Sequence, residues 1–568
     1  MRAASESCRF ARSFAGVLMA VWLALLGVLT VSPVPALAGD AAIHRTWART
    51  DKPVASGRAT RTWMWGPALT AEVPEADAGA PGGTRTVQYF DKSRMELPSD
   101  PDADTNSVWY VTNGLLARDM ISGQVQLGPA PGDYEQRVPA GINIGGDGDD
   151  PNGPTYASFA GRLQDAPLPN GWLVIQRIAR DGTVVEDQAL GSYGVTAQTR
   201  VPVPGLDHQV ASVFWEFMTA SGTVYDDGNY RTASLSPDPY YATGYPITEP
   251  YWTAVRVGGI EKTVLVQVFE RRVLTYTPDN APEWRVEAGN VGRHYYEWRY
   301  GAVPTEPGPA MFDFMDDLED DLAGLVNGWD AWNAVSVMDL QTGKIVSING
   351  DRQQPAACTI KIFIMIAIAQ DIEAGKYSEA SVETLVRSAM GPSNTPPAYE
   401  LIRIAGGGDY RAGLKRVNDI MQQLGMQRSV LRHAPDYPNV DNGYGVSDNY
   451  LVANELSVAL GKFWNGDILT GWARDYVLWS MTIATTSQQY SLGGGIPAEA
   501  NLYHRIGLVY APYNTWNDAG IVTFERDGQT YAYAISYLGS YSESWLDAYY
   551  HGTAVSAAAW NAFNWAYP

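Results

Sequence analysis

The chain has 568 residues, with 40 Lys and Arg against 62 Asp and Glu and a formal net charge of −22. Its length predicts about two to four domains. The acidic balance excludes a protein that binds nucleic acid through its phosphates and argues against binding to anionic membrane surfaces. The two cysteines, Cys8 and Cys358, are too few for a disulfide framework or a cysteine-based zinc site. We therefore expect no metal and no cofactor.

The first 38 residues have the pattern of a secretory signal peptide. Three arginines precede residue 13, residues 16–31 are an uncharged apolar run, and Ala36 and Ala38 provide a small-residue cleavage site. An uncleaved anchor is the alternative, but the run is shorter than the roughly 20 residues that span a bilayer. We expect a secreted, extracytoplasmic protein that meets the membrane only during export. Cleavage removes Cys8 and leaves Cys358 as the one thiol.

Residues 41–304 predict a mainly β domain of unknown function. Short runs of β-branched and aromatic residues alternate with Gly, Pro and Asp turns, as in GWLVIQRIA and VLVQVFERRVLTYTP. A Pro- and Gly-containing linker follows at residues 305–310. The composition changes beyond it, which indicates a second domain at 311–568.

The second domain is predicted to be of the α+β class. An amphipathic helix is followed by two strands around QTGK, then by four or five helical segments, and finally by three strands and a closing helix from Ser544. Strands at both ends with helices between them predict that the terminal strands share one antiparallel sheet, beside a helical subdomain.

Three strings in this domain carry a resemblance to a known family. AACTIKIFIMIAIAQ places Cys358 and Lys361 at i and i+3 at the start of an apolar helix, so both lie on one face. YHRIGLVY contains Arg505-Ile506-Gly507, and NDAGIVTFERDGQTYAYAISYLG follows it. In their order and spacing these strings resemble the class A β-lactamases and the wider family of penicillin-recognising serine hydrolases. The resemblance covers essentially all of residues 311–568.

The resemblance implies roles for several residues. Cys358 stands in the place of the nucleophilic serine and Lys361 in the place of the lysine that takes its proton. Arg505 and Gly507 correspond to the substrate-binding motif, with Arg505 as the anchor for a substrate carboxylate. The backbone N–H groups of Cys358 and Leu508 correspond to the oxyanion hole.

The chain also departs from the family pattern. Asn394 aligns with the family's asparagine, which leaves Pro392 where the family has a proton-shuttling serine and makes neighbouring Ser393 the substitute. A Ser-Asp-Asn string at 447–449 is interpreted as the cap of a later helix. The deacylating glutamate is expected within residues 433–447, where Asp436 and Asp441 but no Glu occur.

Two functions remain open. In the first, the domain is an exported hydrolase or acyl-enzyme former that acts on β-lactams or cell-wall peptides. A helix N-terminus and a nearby ammonium both favour the reactive thiolate form of a cysteine. In the second, Cys358 is a buried apolar residue and the domain is an inactive module that binds cell-wall polymer of the peptidoglycan type or a protein partner.

Overall fold

The computed structural model describes residues 40–100, 102–201, 207–226, 228–305, 308–435, 448–483, 490–509 and 514–567. The predicted signal peptide, with Cys8, lies outside these ranges. The chain divides into two compact units. Unit 1 comprises the described residues within 1–51, 61–226 and 231–311, and unit 2 those within 52–60, 227–230 and 312–568.

The N-terminal part, through residue 311, is built mainly from short strands, as predicted. Its strands are β1 Val73–Ala76, β2 Thr84–Phe90, β3 Ser93–Glu96, β4 Thr112–Asn113, β5 Gln124–Gln126, β6 Tyr134–Gln136, β7 Gln176–Ile178, β8 Val184–Glu186, β9 Ala197–Arg200, β10 Gln209–Ala211, β11 Ser221–Asp226, β12 Asn229–Ser234, β13 Tyr251–Val257, β14 Ile260–Val268, β15 Val273–Tyr276 and β16 Val286–Ala288. Its α-helices are α1 Ala41–Ala55, α2 Leu116–Ser122, α3 Ser212–Met218 and α4 Val291–Tyr300. Short 3-10 helices lie at Tyr156–Arg162, Gln188–Tyr193 and Pro282–Trp284.

Two sheets organise unit 1. One has the order β1-β2-β3-β4, and the larger has the order β16-β15-β14-β13-β7-β8. Within the larger sheet β13 pairs parallel to β7, while the other strand pairs are antiparallel. A core of Val, Ile and Tyr side chains packs α2 and α4 against these strands. The alternation of apolar and polar residues therefore predicted the architecture of this unit.

Unit 2 contains the mixture of strands and helices that the sequence predicts. Its strands are β17 Trp332–Asp339, β18 Ile345–Ile348, β19 Gln353–Pro355, β20 Tyr450–Val452, β21 Asn501–Val509, β22 Thr515–Arg526 and β23 Gln529–Ser540. Its α-helices are α5 Phe314–Val326, α6 Lys361–Glu373, α7 Glu379–Met390, α8 Thr395–Ala405, α9 Tyr410–Gln423, α10 Ala453–Asn465, α11 Gly471–Thr482 and α12 Trp545–Ala566. A 3-10 helix occupies Ser491–Gly495.

The terminal strands of unit 2 share one antiparallel sheet, which confirms the prediction. Its order is β18-β17-β23-β22-β21. Side chains of α5 and α12 pack on one face, and the helical subdomain packs on the other. Because β22 is covered on both faces, its residues from Thr515 to Phe524 are buried. The hydrophobic string NDAGIVTFER is therefore a central strand.

Helix α6 runs through the core of the helical subdomain. Nine consecutive residues from Lys361 to Ala369 are buried, as expected for a helix that is apolar on all sides. Its neighbours in this core include α7, α8, α9 and α11. Packing of the helix therefore holds its first residue, Lys361, in the interior of the helical subdomain. Within the described part of the chain, no helix has the length and apolar character needed to cross a membrane.

A buried carboxylate at the far end of α6 makes the stability of unit 2 depend on pH. Asp371 contacts Lys376 Nζ and Arg416 Nη1, each at 2.6 Å. Burial raises the pKa of Asp371, but hydrogen bonds and positive charge from Arg416 and Lys376 outweigh it, so the pKa lies below its usual value. Because the folded pKa is below the unfolded one, the stabilisation is complete above about pH 5 and is lost as the pH falls below about 4.

We expect Asp371→Asn to lower the free energy of unfolding of unit 2 by about 2 kcal/mol at pH 7. The difference from wild type should shrink as the pH falls below about 4, because the unfolded chain then takes up a proton at Asp371 more readily than the folded one. Urea unfolding followed by hydrogen exchange of α6 and α9 peptides, at several pH values, measures this difference. A difference that stays constant from pH 7 to pH 3 would contradict the ion-pair explanation.

Candidate active site

Cys358 lies in a strained turn between β19 and α6. The preceding residue, Ala357, has φ of 47°, in the left-handed region that non-glycine residues seldom adopt. Such strain persists only where the surroundings enforce it, and it is frequent at functional sites. The Cys358 carbonyl accepts a hydrogen bond from Lys361 N at 3.1 Å, and the residue is 5% exposed. The turn therefore holds the thiol at the start of α6 with little contact to solvent.

Three long-range contacts hold this turn in place. Asn517 Nδ2 on β22 donates to Pro355 O at 2.7 Å, and Gln354 Nε2 donates to the Leu538 carbonyl of β23 at 3.1 Å. The backbone N–H of Ala356 donates to the Asn449 carbonyl at 2.9 Å. The two side chains were not identified from the sequence. For Asn517, the signal was a pair of polar residues, Asn517 and Asp518, directly before the apolar run AGIV of this strand.

The Lys361 amine is buried and points toward the segment between α7 and α8. Its Nζ donates to the Ser393 carbonyl at 2.8 Å, to Ser393 Oγ at 3.1 Å and to Ala389 O at 3.4 Å. Only 1% of Lys361 is exposed. A cation in such a position must be surrounded by hydrogen-bond acceptors, and these three oxygens provide them. The structure thus brings Lys361 and Ser393 together across the site.

Ser393 and Asn394 point in different directions. Ser393 has φ of 67°, which turns its hydroxyl and its carbonyl toward Lys361. Asn394 is exposed at the start of α8, and its Nδ2 donates to Ser388 Oγ at 2.9 Å. The Ser393 side chain therefore faces Lys361, whereas the described hydrogen bond of the Asn394 side chain runs to α7. The catalytic roles of both residues stay predictions.

Arg505 reaches into the same cluster from β21. Its Nη1 donates to Met390 O at 2.5 Å and its Nη2 to Ser393 Oγ at 2.5 Å, and the guanidinium interacts electrostatically with Cys358. The residue is 3% exposed. Burial lowers the pKa of Arg505 below its usual value, although interactions with Cys358 and Asp518 oppose that shift. Arg505 is therefore an inward-facing cation beside the thiol.

Gly507 allows β21 to lie directly against the Cys358 turn. A Cβ atom at this position would stand 2.8 Å from the backbone nitrogens of both Cys358 and Thr359, closer than Cβ atoms approach other atoms in proteins. Leu508 follows and pairs with Trp516 of β22. The absence of a side chain thus brings the backbone of β21 next to the N–H groups at the start of α6, as an oxyanion hole would need.

His504 belongs to the opposite face of the sheet. Its Nδ1 lies 2.8 Å from Asp518 Oδ1, and both residues are completely buried. Its partner is a carboxylate on the neighbouring strand, because the register places Asp518 diagonally across from His504.

Asn449 does not cap a helix, contrary to the sequence interpretation. Helix α10 begins at Ala453, after strand β20. Asn449 Oδ1 accepts hydrogen bonds from the backbone N–H groups of Arg432 and His433, at 2.7 and 3.1 Å. The residue therefore ties together two chain segments that approach the site. Asp436 and Asp441, within the stretch where the family has its glutamate, lie outside the described residues.

Acidic and histidine side chains do not gather into a metal site in the described ranges: no group of three or more His, Cys, Asp or Glu residues there is arranged to hold an ion. The chemistry available here is that of the Cys358 thiol, which interacts with the Arg505 guanidinium, and of the Ser393 hydroxyl, which accepts hydrogen bonds from Arg505 and from the Lys361 ammonium. Such a set is suited to nucleophilic attack on a carbonyl group.

Comparisons with known proteins give one family match and several similar solved structures. A scan against protein families matches the Beta-lactamase enzyme family over residues 317–389 and 378–563. No curated protein matches the chain.

Among solved structures, the chain is similar to PBP-A, at 20% identity, with 44% of this chain and 96% of that one covered and a TM-score of 0.36. It is also similar to a β-lactamase from Sphaerobacter thermophilus, at 19% identity, 44% and 98% coverage and a TM-score of 0.36. A β-lactamase from Xanthomonas campestris gives 17% identity, 43% and 97% coverage and a TM-score of 0.37. The family match spans most of unit 2 and supports a β-lactamase-like family for the C-terminal region of this chain.

Proposed function

We propose that unit 2 is an exported acyl-transfer hydrolase in which Cys358 is the nucleophile, acting on β-lactams or cell-wall peptides. At the level of the family, hydrolase or acyl-enzyme chemistry is the function that the β-lactamase match supports. The observation that carries the proposal is the convergence of Lys361, Ser393 and Arg505 beside the one thiol of the described chain.

The proposed reaction has two steps. The Cys358 thiolate adds to the carbonyl carbon of the substrate amide, the C–N bond breaks, and a thioester forms. The departing nitrogen takes a proton that the Ser393 hydroxyl relays from the Lys361 ammonium. Water then adds to the thioester, which releases the acid and returns a proton to the pair formed by Cys358 and Lys361.

Backbone N–H groups supply the remaining element of the mechanism. The carbonyl oxygen becomes negatively charged as the sulfur adds, and the N–H groups of Cys358 and Leu508 are the proposed donors to it. These donors do not depend on side-chain identity, so the change from serine to cysteine leaves them in place. Asn394 is the proposed contact for the substrate's amide chain.

Intact-mass measurement tests the proposal. The protein is incubated separately with a chromogenic cephalosporin and with iodoacetamide, and peptide mapping locates each adduct. We expect both reagents to modify Cys358 and neither to modify the Cys358→Ala variant. An acyl adduct that persists in Cys358→Ala would place the chemistry at another residue.

One observation favours the second candidate, an inactive binding module. Cys358, Lys361 and Arg505 are 5%, 1% and 3% exposed, so a substrate must reach a thiol with very little accessible surface. This candidate predicts no adduct from either reagent, together with retention on insoluble peptidoglycan. The same mass measurement therefore separates the two functions.

Export is part of the proposal and has its own test. The predicted signal peptide implies that the secreted protein begins after Ala38. The mass of the protein recovered from the medium of an expressing bacterium would then lack residues 1–38. Recovery of the full-length chain from the cell would contradict export.

A further inference from the structure

The guanidinium of Arg505 is directed at the protein rather than at the position of a ligand. Its Nη1 donates to Met390 O, and its Nη2 donates to Ser393 Oγ and lies 3.5 Å from Ala389 O. The remaining donor, Nε, is buried. Each N–H of this side chain is therefore either bonded within the domain or removed from solvent.

The Lys361 amine also makes its hydrogen bonds to groups of the protein. Its described hydrogen bonds go to Ala389 O, Ser393 O and Ser393 Oγ. Both cations beside the thiol thus share one set of acceptors, formed by the end of α7 and the residues before α8. Neither presents an open N–H fork of the kind that binds a carboxylate bidentately.

A substrate carboxylate would have to displace these contacts. If Arg505 turned toward it, the Met390 carbonyl and the Ser393 hydroxyl would lose a charged donor in a buried setting, which is costly. The carboxylate itself would also lose its hydration.

We infer that the Cys358 site selects acyl donors with no carboxylate next to the scissile bond: internal amides, neutral lactams and esters. This inference rests on the proposed function and narrows its substrate class. It assigns Arg505 the role of a positioning residue that holds Ser393 and the thiol, in place of the carboxylate anchor that the family resemblance implies.

A matched pair of acyl donors tests the inference. A chromogenic cephalosporin and its methyl ester share the same lactam and differ in one carboxylate. The rate of Cys358 acylation by each is measured by intact mass and divided by the rate of the same compound with N-acetylcysteine, which corrects for intrinsic reactivity. We expect the ester to be favoured by about tenfold, the effect of losing one charged contact.

The outcomes separate the inference from the proposed function. A corrected ester-to-acid ratio above three supports the inference, and a ratio of three or less overturns it while leaving Cys358 as the nucleophile. If neither compound acylates Cys358, the proposed function fails and the inference fails with it.

A conservative variant tests whether Arg505 is the cause. Arg505→Lys keeps the positive charge but removes the planar fork, so the Met390 and Ser393 contacts cannot all persist. We expect its ester-to-acid ratio to fall toward one. Arg403→Lys is the matched control, because Arg403 is a partly exposed arginine of α8 that pairs with Glu400, and its ratio should equal that of wild type. Circular dichroism checks folding, and if Arg505→Lys does not fold, the wild-type ratio alone decides.

Discussion

The Lys361→Met variant is expected to acylate at Cys358 about 100-fold more slowly than wild type, or slower still. Methionine is close to lysine in length and apolar, so it can occupy the buried position at the start of α6. It lacks the amine that contacts Ser393 O at 2.8 Å and Ser393 Oγ at 3.1 Å. The thiol then loses both a neighbouring positive charge and the donor of the relayed proton.

Stopped-flow release of the chromophore, with intact mass as the confirmation, measures this loss. Lys415→Met is the matched control, since Lys415 is an exposed residue of α9 whose amine pairs with Asp419, and it should acylate at the wild-type rate. Iodoacetamide labelling of Lys361→Met should also slow at neutral pH. Acylation within threefold of wild type in a folded Lys361→Met protein would exclude Lys361 as the base.

The largest expected effect on stability comes from Arg94→Met in unit 1. Arg94 is 2% exposed and contacts Glu75 at 2.9 Å and Glu96 at 2.5 Å. Removing one member of a buried ion pair leaves its partners charged without full compensation, which costs about 3–5 kcal/mol. Although burial raises the pKa of Glu75, the positive charges of Arg94 and Arg299 outweigh it and hold that pKa below its usual value. Without Arg94 the Glu75 pKa should rise.

Hydrogen exchange of the β1–β3 peptides in increasing urea measures the effect within unit 1. Arg231→Met is the control, because the Arg231 side chain is exposed and its ion pair with Asp226 lies at the surface. Exposed pairs contribute at most about 1 kcal/mol. If the two variants lose similar amounts of stability, the buried ion pairs of Arg94 would contribute no more to the stability of unit 1 than an exposed pair does.

Much of the fold of unit 2 follows from local patterns in the sequence. The apolar run after Lys361 predicted a core helix, and α6 is buried on all sides. Strand signals at both ends of the domain predicted that these strands share one sheet, because the helices between them cannot pair with strands. The structure confirms this, since β17 and β23 are neighbours in the sheet. Hydrophobic periodicity and turn residues indicate helices and strands within windows of about ten to twenty residues, so these elements can be predicted from the sequence alone.

The site was only partly predictable, and the reason is sequence separation. The i, i+3 spacing places Cys358 and Lys361 together, and the family resemblance added Ser393 and Arg505. Neither kind of evidence gives the direction of the Arg505 side chain, which is decided by carbonyl groups of α7 more than 100 residues away in sequence. The left-handed backbone conformation of Ser393 cannot be predicted from the sequence either, since serine has no general preference for it. Asn449 was assigned to a helix end because capping residues are recognised by local context alone.

The contacts that hold the Cys358 turn have a consequence for folding. The turn is tied by hydrogen bonds to β22, to β23 and to the backbone at Asn449, and β19 pairs with β20. The farthest of these partners, Leu538, is 184 residues from Gln354 in the sequence, so the turn cannot reach its native geometry until distant segments of unit 2 have assembled. The environment of the thiol is thus complete only when the whole of unit 2 has assembled, so a substitution that loosens a distant strand should also change the reactivity of Cys358.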